Sequence, residues 1–340
     1  MAHPERPRLT TKRKIARNKR YGRVPVTVCI AAICQEFDQE GNLLGTAVLG
    51  ASDRRVTYGD IEYDPPTTKV LWVSKSIALM SSANDSALQS EIFREVQMDV
   101  HKRIEKEPEN WWKVKDVAEL YAHHRNIAKA KRAEMEILSP IGLTRETLIE
   151  NRANLGDEFM ALTRQMQNFQ LPYLGTIVAG VDNEGGAHIY VVESGENRSP
   201  DVSISCYDGL GFASIGSGAW HANSQFMLAR HAWHLPFPQT LGLIYLAKKR
   251  AEIAPGVGSE TDMFKIGSAL GTSINIGEHV LKKLHSMHKR VSTKEKRIQD
   301  DLKKEINQYV DKTIKEQTQK EQSSEPPQKE EVKKNGEIKA

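Results

Sequence analysis

Residues 27–34, TVCIAAIC, place one threonine at the head of an unbroken apolar run, the pattern of a strand buried on both faces. The polar segment FDQEGNL at 37–43 carries turn chemistry, and residues 46–52 read as the returning strand of a hairpin. Two more short strands are expected within VLWVSKSIALMSSAND (70–85), with the break at 74–76. Asn84 or Asp85 can then cap a helix, because a short polar side chain accepts from free N–H groups there. Leu88, Ile92, Val96, Val100 and Ile104 follow at helical spacing until Pro108. Residues 114–138 predict a second helix with Val117, Leu120, Tyr121, Ile127, Ala128 and Met135 on its apolar side. SPIGLT (139–144) breaks it, and 145–169 is again helical in composition. GTIVAGVDNEGGAHIYVV (175–192) is a hairpin around Asn-Glu-Gly-Gly. Residues 203–218 give two short strands closing on Gly216-Ser217-Gly218. Helices over 219–234 and 239–252, a strand at 263–266 and a helix over 274–287 complete the pattern. Ile298, Leu302, Ile306, Tyr309 and Val310 mark a further amphipathic, exposed helix.

Runs of strands separated by pairs of helices predict an α+β chain in which two antiparallel sheets lie between helices, a four-layer αββα sandwich. Alternating βαβ units are not the pattern. The expected divisions are a basic arm over 1–26, a main domain over 27–286, an exposed helix over 287–316 and a charged tail over 317–340.

Charge is unevenly spread. Residues 1–24 hold nine Lys/Arg against the single acid Glu5, a formal +8, whereas the whole chain is only +4. The basic balance therefore belongs to the arm, and the body is mildly acidic. Hydrophobic residues make up 39%, which is low because both ends are polar. The tail is rich in Lys, Glu, Gln and Pro and buries too little apolar surface to offset its ordering entropy. Nine cations would attract nucleic acid in a salt-sensitive way, but aromatic interleaving is limited to Tyr21, so nucleic-acid binding is the less favoured reading of the arm. Cys29 and Cys34 face opposite sides of one strand and Cys206 is remote, so neither a zinc spacing nor a disulfide framework is present. The chain lacks an apolar run of about 18 residues and a leader-type h-region. A cytoplasmic protein without a membrane contact is expected.

Several segments, taken in order, carry a resemblance. TVCIAAI (27–33) resembles the opening strand of the proteasome β-subunit family, within the N-terminal-nucleophile (Ntn) hydrolases, and is especially close to the bacterial proteasome-like proteins. GASDRRVTYG (50–59) is similar to the family's Asp-x-Arg-x-Thr-x-Gly segment and puts Asp53, Arg55, Thr57 and Gly59 on its positions. PPTTKV (65–70) puts Lys69 on the family's lysine, sixteen residues after Asp53. LMSSANDSA (79–87) lies where the family supplies an oxyanion N–H from a glycine, which here falls on Ala83. TIVAGVDNEGGAHIY resembles the family's central hairpin, and SIGSGAWHA (214–222) puts Ser217 on its active-site serine. The resemblance covers about 27–270.

What it implies is a threonine hydrolase of the αββα fold that cleaves peptide or amide bonds without a cofactor or metal. It also implies a homo-oligomer, as a ring or helical stack, with an unfoldase as a candidate partner. Thr27 would be the nucleophile, with its own α-amine as base. Lys69 would lower the pKa of that amine, Asp53 would hold Lys69, and Ala83 N–H would bind the oxyanion. A peptide-bonded nitrogen is not basic, so Thr27 must first become the N-terminus. Removal of 1–26 is one route, and translation from position 26 followed by methionine removal is another.

Three departures set this chain apart. Its first hairpin is about ten residues longer than the family's. The family's later Asp-x-x-Ser pair has no match in EIAPGVGSETDMF (252–264), where Glu252, Ser259 and Asp262 are the nearest polar side chains. Val26 precedes the threonine in place of glycine. These departures keep open a non-catalytic proteasome-fold assembly subunit, and a non-peptidase amidohydrolase is the third reading. Other candidates are weak. His123 and His124 point about 100° apart on a helix, the 220–234 segment with His231 and His234 reads as an interface helix, and PGVGS (255–259) lacks the context of a phosphate loop.

Overall fold

In the computed structural model of the chain, the residues described are 27–58, 61–65, 68–108, 112–183, 186–194 and 202–324. The basic arm, Gly59, Trp111 and the end of the tail lie outside them. Two units are distinguished, the first ending at Leu281 and the second beginning at Lys282.

The first unit is mixed α+β and contains two five-stranded antiparallel sheets. Strands β1 (Cys29–Phe37) and β2 (Leu43–Asp53) form the expected hairpin, in register from Cys29↔Ser52 to a bulge at Glu36/Phe37. With β10 (Phe212–Ile215), β11 (Thr261–Ile266) and β12 (Ser273–Asn275) they make one sheet in the order β10-β1-β2-β11-β12. The other sheet runs β5 (Val70–Ser74), β6 (Ile77–Ala83), β7 (Leu174–Asp182), β8 (Gly186–Ser194) and β9 (Val202–Cys206). A small hairpin, β3 (Val56–Tyr58) with β4 (Ile61–Tyr63), stands apart.

Alternation along the strands decides what packs where. Cys29, Ala31, Ile33, Val48 and Phe264 of one sheet share a buried cluster with Met80, Ile177, Ala179 and Ile189 of the other. The opposite side of β6 and β7 (Ile77, Leu79, Val178) packs with α1 (Ser86–Lys106) and α2 (Val114–Ala133) through Leu88, Ile92, Val96, Val117 and Tyr121. Helix α7 (Phe237–Ala251) contacts β1 and β2, and α6 (Ala219–Leu228) contacts β10 and α7. Truncating a residue such as Met80 or Ile177 to alanine would cost about 2–5 kcal/mol. Asp85, one of the two expected caps, accepts from Leu88 N–H at 2.9 Å and starts α1.

Several expectations are corrected. The 114–138 segment is α-helical only to Ala133 and continues as a π-turn at Glu134–Leu138 and a 3-10 turn at Ser139–Ile141. Ile127 and Met135 are exposed, because the buried stripe runs through Val114, Val117, Ala118, Tyr121 and Ala128. Ile127 precedes Ala128 by one residue and so points about 100° away. The 145–169 segment is three helices, α3 (Arg145–Glu150), α4 (Arg152–Leu155) and α5 (Asp157–Gln167), interrupted at Gly156 with φ +53°. The 219–234 helix stops at Leu228, and Arg230 takes φ +51° where no glycine or proline marks the end. The segment from 274 opens on β12, paired with β11, instead of on a helix. One helix, α8 (Glu278–Ser324), then replaces both helices expected after it and continues past Gln317, since neither glycine nor proline interrupts it. Its Ile298, Leu302, Ile306, Tyr309 and Val310 are exposed. Among the described residues, no helix is long and apolar enough to cross a membrane.

Candidate active site

The polar cluster that stands out forms where β1 begins and β2 ends. The β1–β2 register sets Ser52 opposite Cys29, so Asp53 comes beside Val28 and Thr27. Asp53 is fully buried and accepts five hydrogen bonds. Its Oδ1 accepts from Thr27 Oγ1 at 2.5 Å, Val28 N–H at 2.9 Å and Lys69 Nζ at 2.8 Å. Its Oδ2 accepts from Arg55 N–H and Gly258 N–H, each at 3.1 Å. Lys69, just before β5, also donates to Thr27 Oγ1. The threonine hydroxyl therefore sits between a carboxylate and an ammonium, and hydrogen bonds to charged groups are about twice as strong as neutral ones.

Ser217 closes the other side. Its Oγ accepts from Thr27 N at 3.3 Å and lies 3.4 Å from both the Thr27 and Pro255 carbonyl oxygens. Gly216 makes this approach feasible. Its φ is +93°, and a Cβ there would sit 2.3 Å from Thr27 O. Only glycine meets both demands without strain.

Thr27, Asp53, Lys69 and Ser217 are thus joined by direct hydrogen bonds. Ala83 ends β6 opposite Leu174. The described contacts link it to the cluster only through its neighbour Ser82, whose Oγ is 3.0 Å from the same Cβ position on Gly216. Ser82 Oγ is buried and lacks a partner among the described residues. Arg55 joins the cluster through its backbone, while its guanidinium pairs with Glu62 and Asp64 at 3.2 Å each. The side chain of Thr57 lies outside the described residues.

The three polar residues nearest to the absent Asp-x-x-Ser pair are engaged elsewhere. Asp262 takes a fork from Arg54 at 2.7–3.1 Å. Glu252 Oε1 binds Lys248 at 2.5 Å and Lys249 at 2.8 Å. Ser259 offers its carbonyl to Lys248. What the sequence did not signal is the main-chain contribution of this loop, the Gly258 N–H on Asp53. A backbone donor leaves no side-chain signature, although the glycine itself was visible.

Cys29, two residues along the chain from Thr27, is fully buried. Burial pushes its thiol up to about 12, despite the opposing influence of Lys69, and its Sγ donates to Ser81 O. Among the described residues, no group of three or more His, Cys, Asp or Glu could hold a metal. His124 instead pairs with Asp99 at 2.9 Å, and His231 packs against Phe212 and Phe226. The surface depression lined by Glu36, Lys265 and Ser268 shares no residue with the Thr27 cluster.

The chain matches no family model, and no curated protein matches it.

Proposed function

We propose that the chain is a proteasome-like threonine hydrolase of the N-terminal-nucleophile class that cleaves peptide or amide bonds from Thr27. The fold we assign is the four-layer αββα sandwich of that class. The observation that carries the reading is the hydroxyl of Thr27 held between Lys69 Nζ and Asp53 Oδ1, with its own nitrogen on Ser217 Oγ.

Once Thr27 is the first residue, its α-amine titrates near pH ~8 and is partly neutral at pH 7. The ammonium of Lys69 disfavours a second cation beside it and increases the neutral fraction. The amine then takes the hydroxyl proton, directly or through a water, as Oγ1 attacks the substrate carbonyl. A backbone N–H at Ala83 would stabilise the oxyanion, an interaction worth a few kcal/mol. Collapse expels the leaving amine with the transferred proton and leaves an ester on Thr27. Water cleaves that ester by the same relay. The residues themselves supply base and nucleophile, so this chemistry calls for no metal or cofactor. Self-association into a closed or stacked assembly and a cytoplasmic location belong to the same reading.

A second reading, a non-catalytic assembly subunit of the same fold, is favoured by one observation. Glu252 and Asp262 are spent on Lys248, Lys249 and Arg54, away from Thr27. An epoxyketone or β-lactone probe separates the two. The hydrolase forms an adduct on Thr27 that Thr27→Ala abolishes, and the assembly subunit forms none.

A further inference from the structure

Lys248 lies on α7, the helix that contacts β1 and β2, and is fully buried. An ammonium has three hydrogens to donate, and all three are used. They go to Glu252 Oε1 at 2.5 Å, Gly258 O at 2.9 Å and Ser259 O at 2.9 Å. The two carbonyls belong to the loop that carries Gly258 N–H to Asp53 Oδ2. The same loop offers Pro255 O to Ser217 Oγ at 3.4 Å. One buried cation thus clamps the loop that touches two members of the Thr27 cluster.

A position on a helix packed against a sheet is ordinarily filled by an apolar residue at no electrostatic cost. Burying an ammonium is expensive unless its partners are well placed. Here burial pushes Lys248 from 10.5 down to about 8, with Glu252 and the more distant Asp53 pulling the other way and Lys249 adding to the fall. Lys249 reaches Glu252 and Ser259 O at 2.8 and 3.2 Å and reinforces the clamp from its rim.

We propose that Lys248 is the positioning residue for Asp53. Its ammonium fixes the 255–259 loop so that Gly258 N–H occupies Asp53 Oδ2, which leaves Oδ1 for Thr27 and Lys69. This clamp stands in for the side-chain pair absent from 252–264. The inference rests on the reading of Thr27 as the nucleophile.

The test compares full-length wild type, Thr27→Ala, Lys248→Met and Gly258→Ala, each with its N-terminus read by intact mass. The Met side chain keeps the apolar stem and removes the donors. Gly258→Ala disturbs the same link independently, because a Cβ there would meet Asp64 Oδ1 at 2.7 Å and Arg55 Cβ at 2.8 Å. A β-lactone probe gives the maximal rate of acylation at Thr27 and the probe concentration for half-maximal rate. Hydrogen–deuterium exchange follows the 252–260 segment. The expected result for Lys248→Met is a roughly 100-fold lower maximal rate, since small misplacements cost about that much. The half-saturating concentration stays within about twofold, and exchange in 252–260 accelerates at least about tenfold while the strands keep their protection. Gly258→Ala shows the same split and decides the matter if Lys248→Met does not fold. Wild-type maximal rates in these variants, with Thr27→Ala unlabelled, overturn the inference alone. A parallel loss of both parameters with general loss of protection also overturns it. A wild type that the probe leaves unmodified overturns the nucleophile reading, and the role of Lys248 with it.

Discussion

Ser217 Oγ brackets Thr27, accepting from its main-chain nitrogen at 3.3 Å and lying 3.4 Å from its carbonyl oxygen. A hydroxyl in that place would orient the nitrogen that serves as base in the proposed mechanism, and it carries no charge of its own. Ser217→Ala is therefore expected to slow acylation of Thr27 by about 100-fold without abolishing it, at the low end of what a positioned polar group contributes. Steady-state labelling with a threonine-directed probe measures this. A rate equal to wild type would remove Ser217 from the mechanism.

Asp53 is the hub of the cluster, and its two substitutions are expected to differ. Asp53→Ala leaves Lys69 unpaired and three main-chain N–H groups without their acceptor, at a cost of about 3–5 kcal/mol. Asp53→Asn preserves the shape and loses the charge, so it retains more stability. Both are expected to lower acylation at least about 100-fold. Urea unfolding midpoints and labelling rates, taken together, separate stability from chemistry.

The chain's three cysteines sort by burial. Cys29 and Cys34 are buried, and burial pushes each thiol up to about 12; the thiol of Cys206 is also raised, by partial burial and by Asp208, but that residue is exposed to reagents. Since the thiolate is the reactive species, alkylation of the native protein at pH 8 is expected to add one group, at Cys206. Denatured protein takes up three. Native modification at Cys29 would reopen it as the target of electrophiles.

Legibility in the sequence followed the kind of signal each feature leaves. Thr27, Asp53 and Lys69 were singled out through the resemblance, which put them on matching positions, and direct hydrogen bonds join them in the fold. The sheets were readable because β1, β2, β6 and β7 are apolar runs bounded by turns. Lys248 was not, since YLAKKR looks like the start of a solvated face until the fold buries one of its lysines. The hydrogen bond from Gly258 to Asp53 spans 205 positions and uses backbone alone. Nor does local pattern assign strands to sheets. The neighbouring strands β9 and β10 join different sheets, and that choice depends on distant partners. Ile127 misled because a helix stripe one residue out of phase looks much the same in sequence.

Lys248 also fixes the sign of one pH effect. In the unfolded chain its ammonium persists to about 10.5, whereas in the folded protein burial lowers the value to about 8. Between those limits the unfolded state binds more protons, so stability rises with pH across that window. Below about 8 the cost of burying the charge is fully present, on the order of 3 kcal/mol. Lys248→Met is expected to lack this rise. The readout is the difference in urea unfolding free energy between wild type and variant at pH 7.5 and pH 10, because tyrosines common to both then cancel.

The central claim is that Thr27 acts with a free α-amine. Intact mass of the purified protein before and after treatment with an epoxyketone, followed by peptide mapping of the adduct, tests it most directly. The account predicts a chain that begins at Thr27 and takes up one probe molecule there. A chain that keeps residues ahead of Thr27 and stays unmodified, or an adduct on another residue, would contradict it.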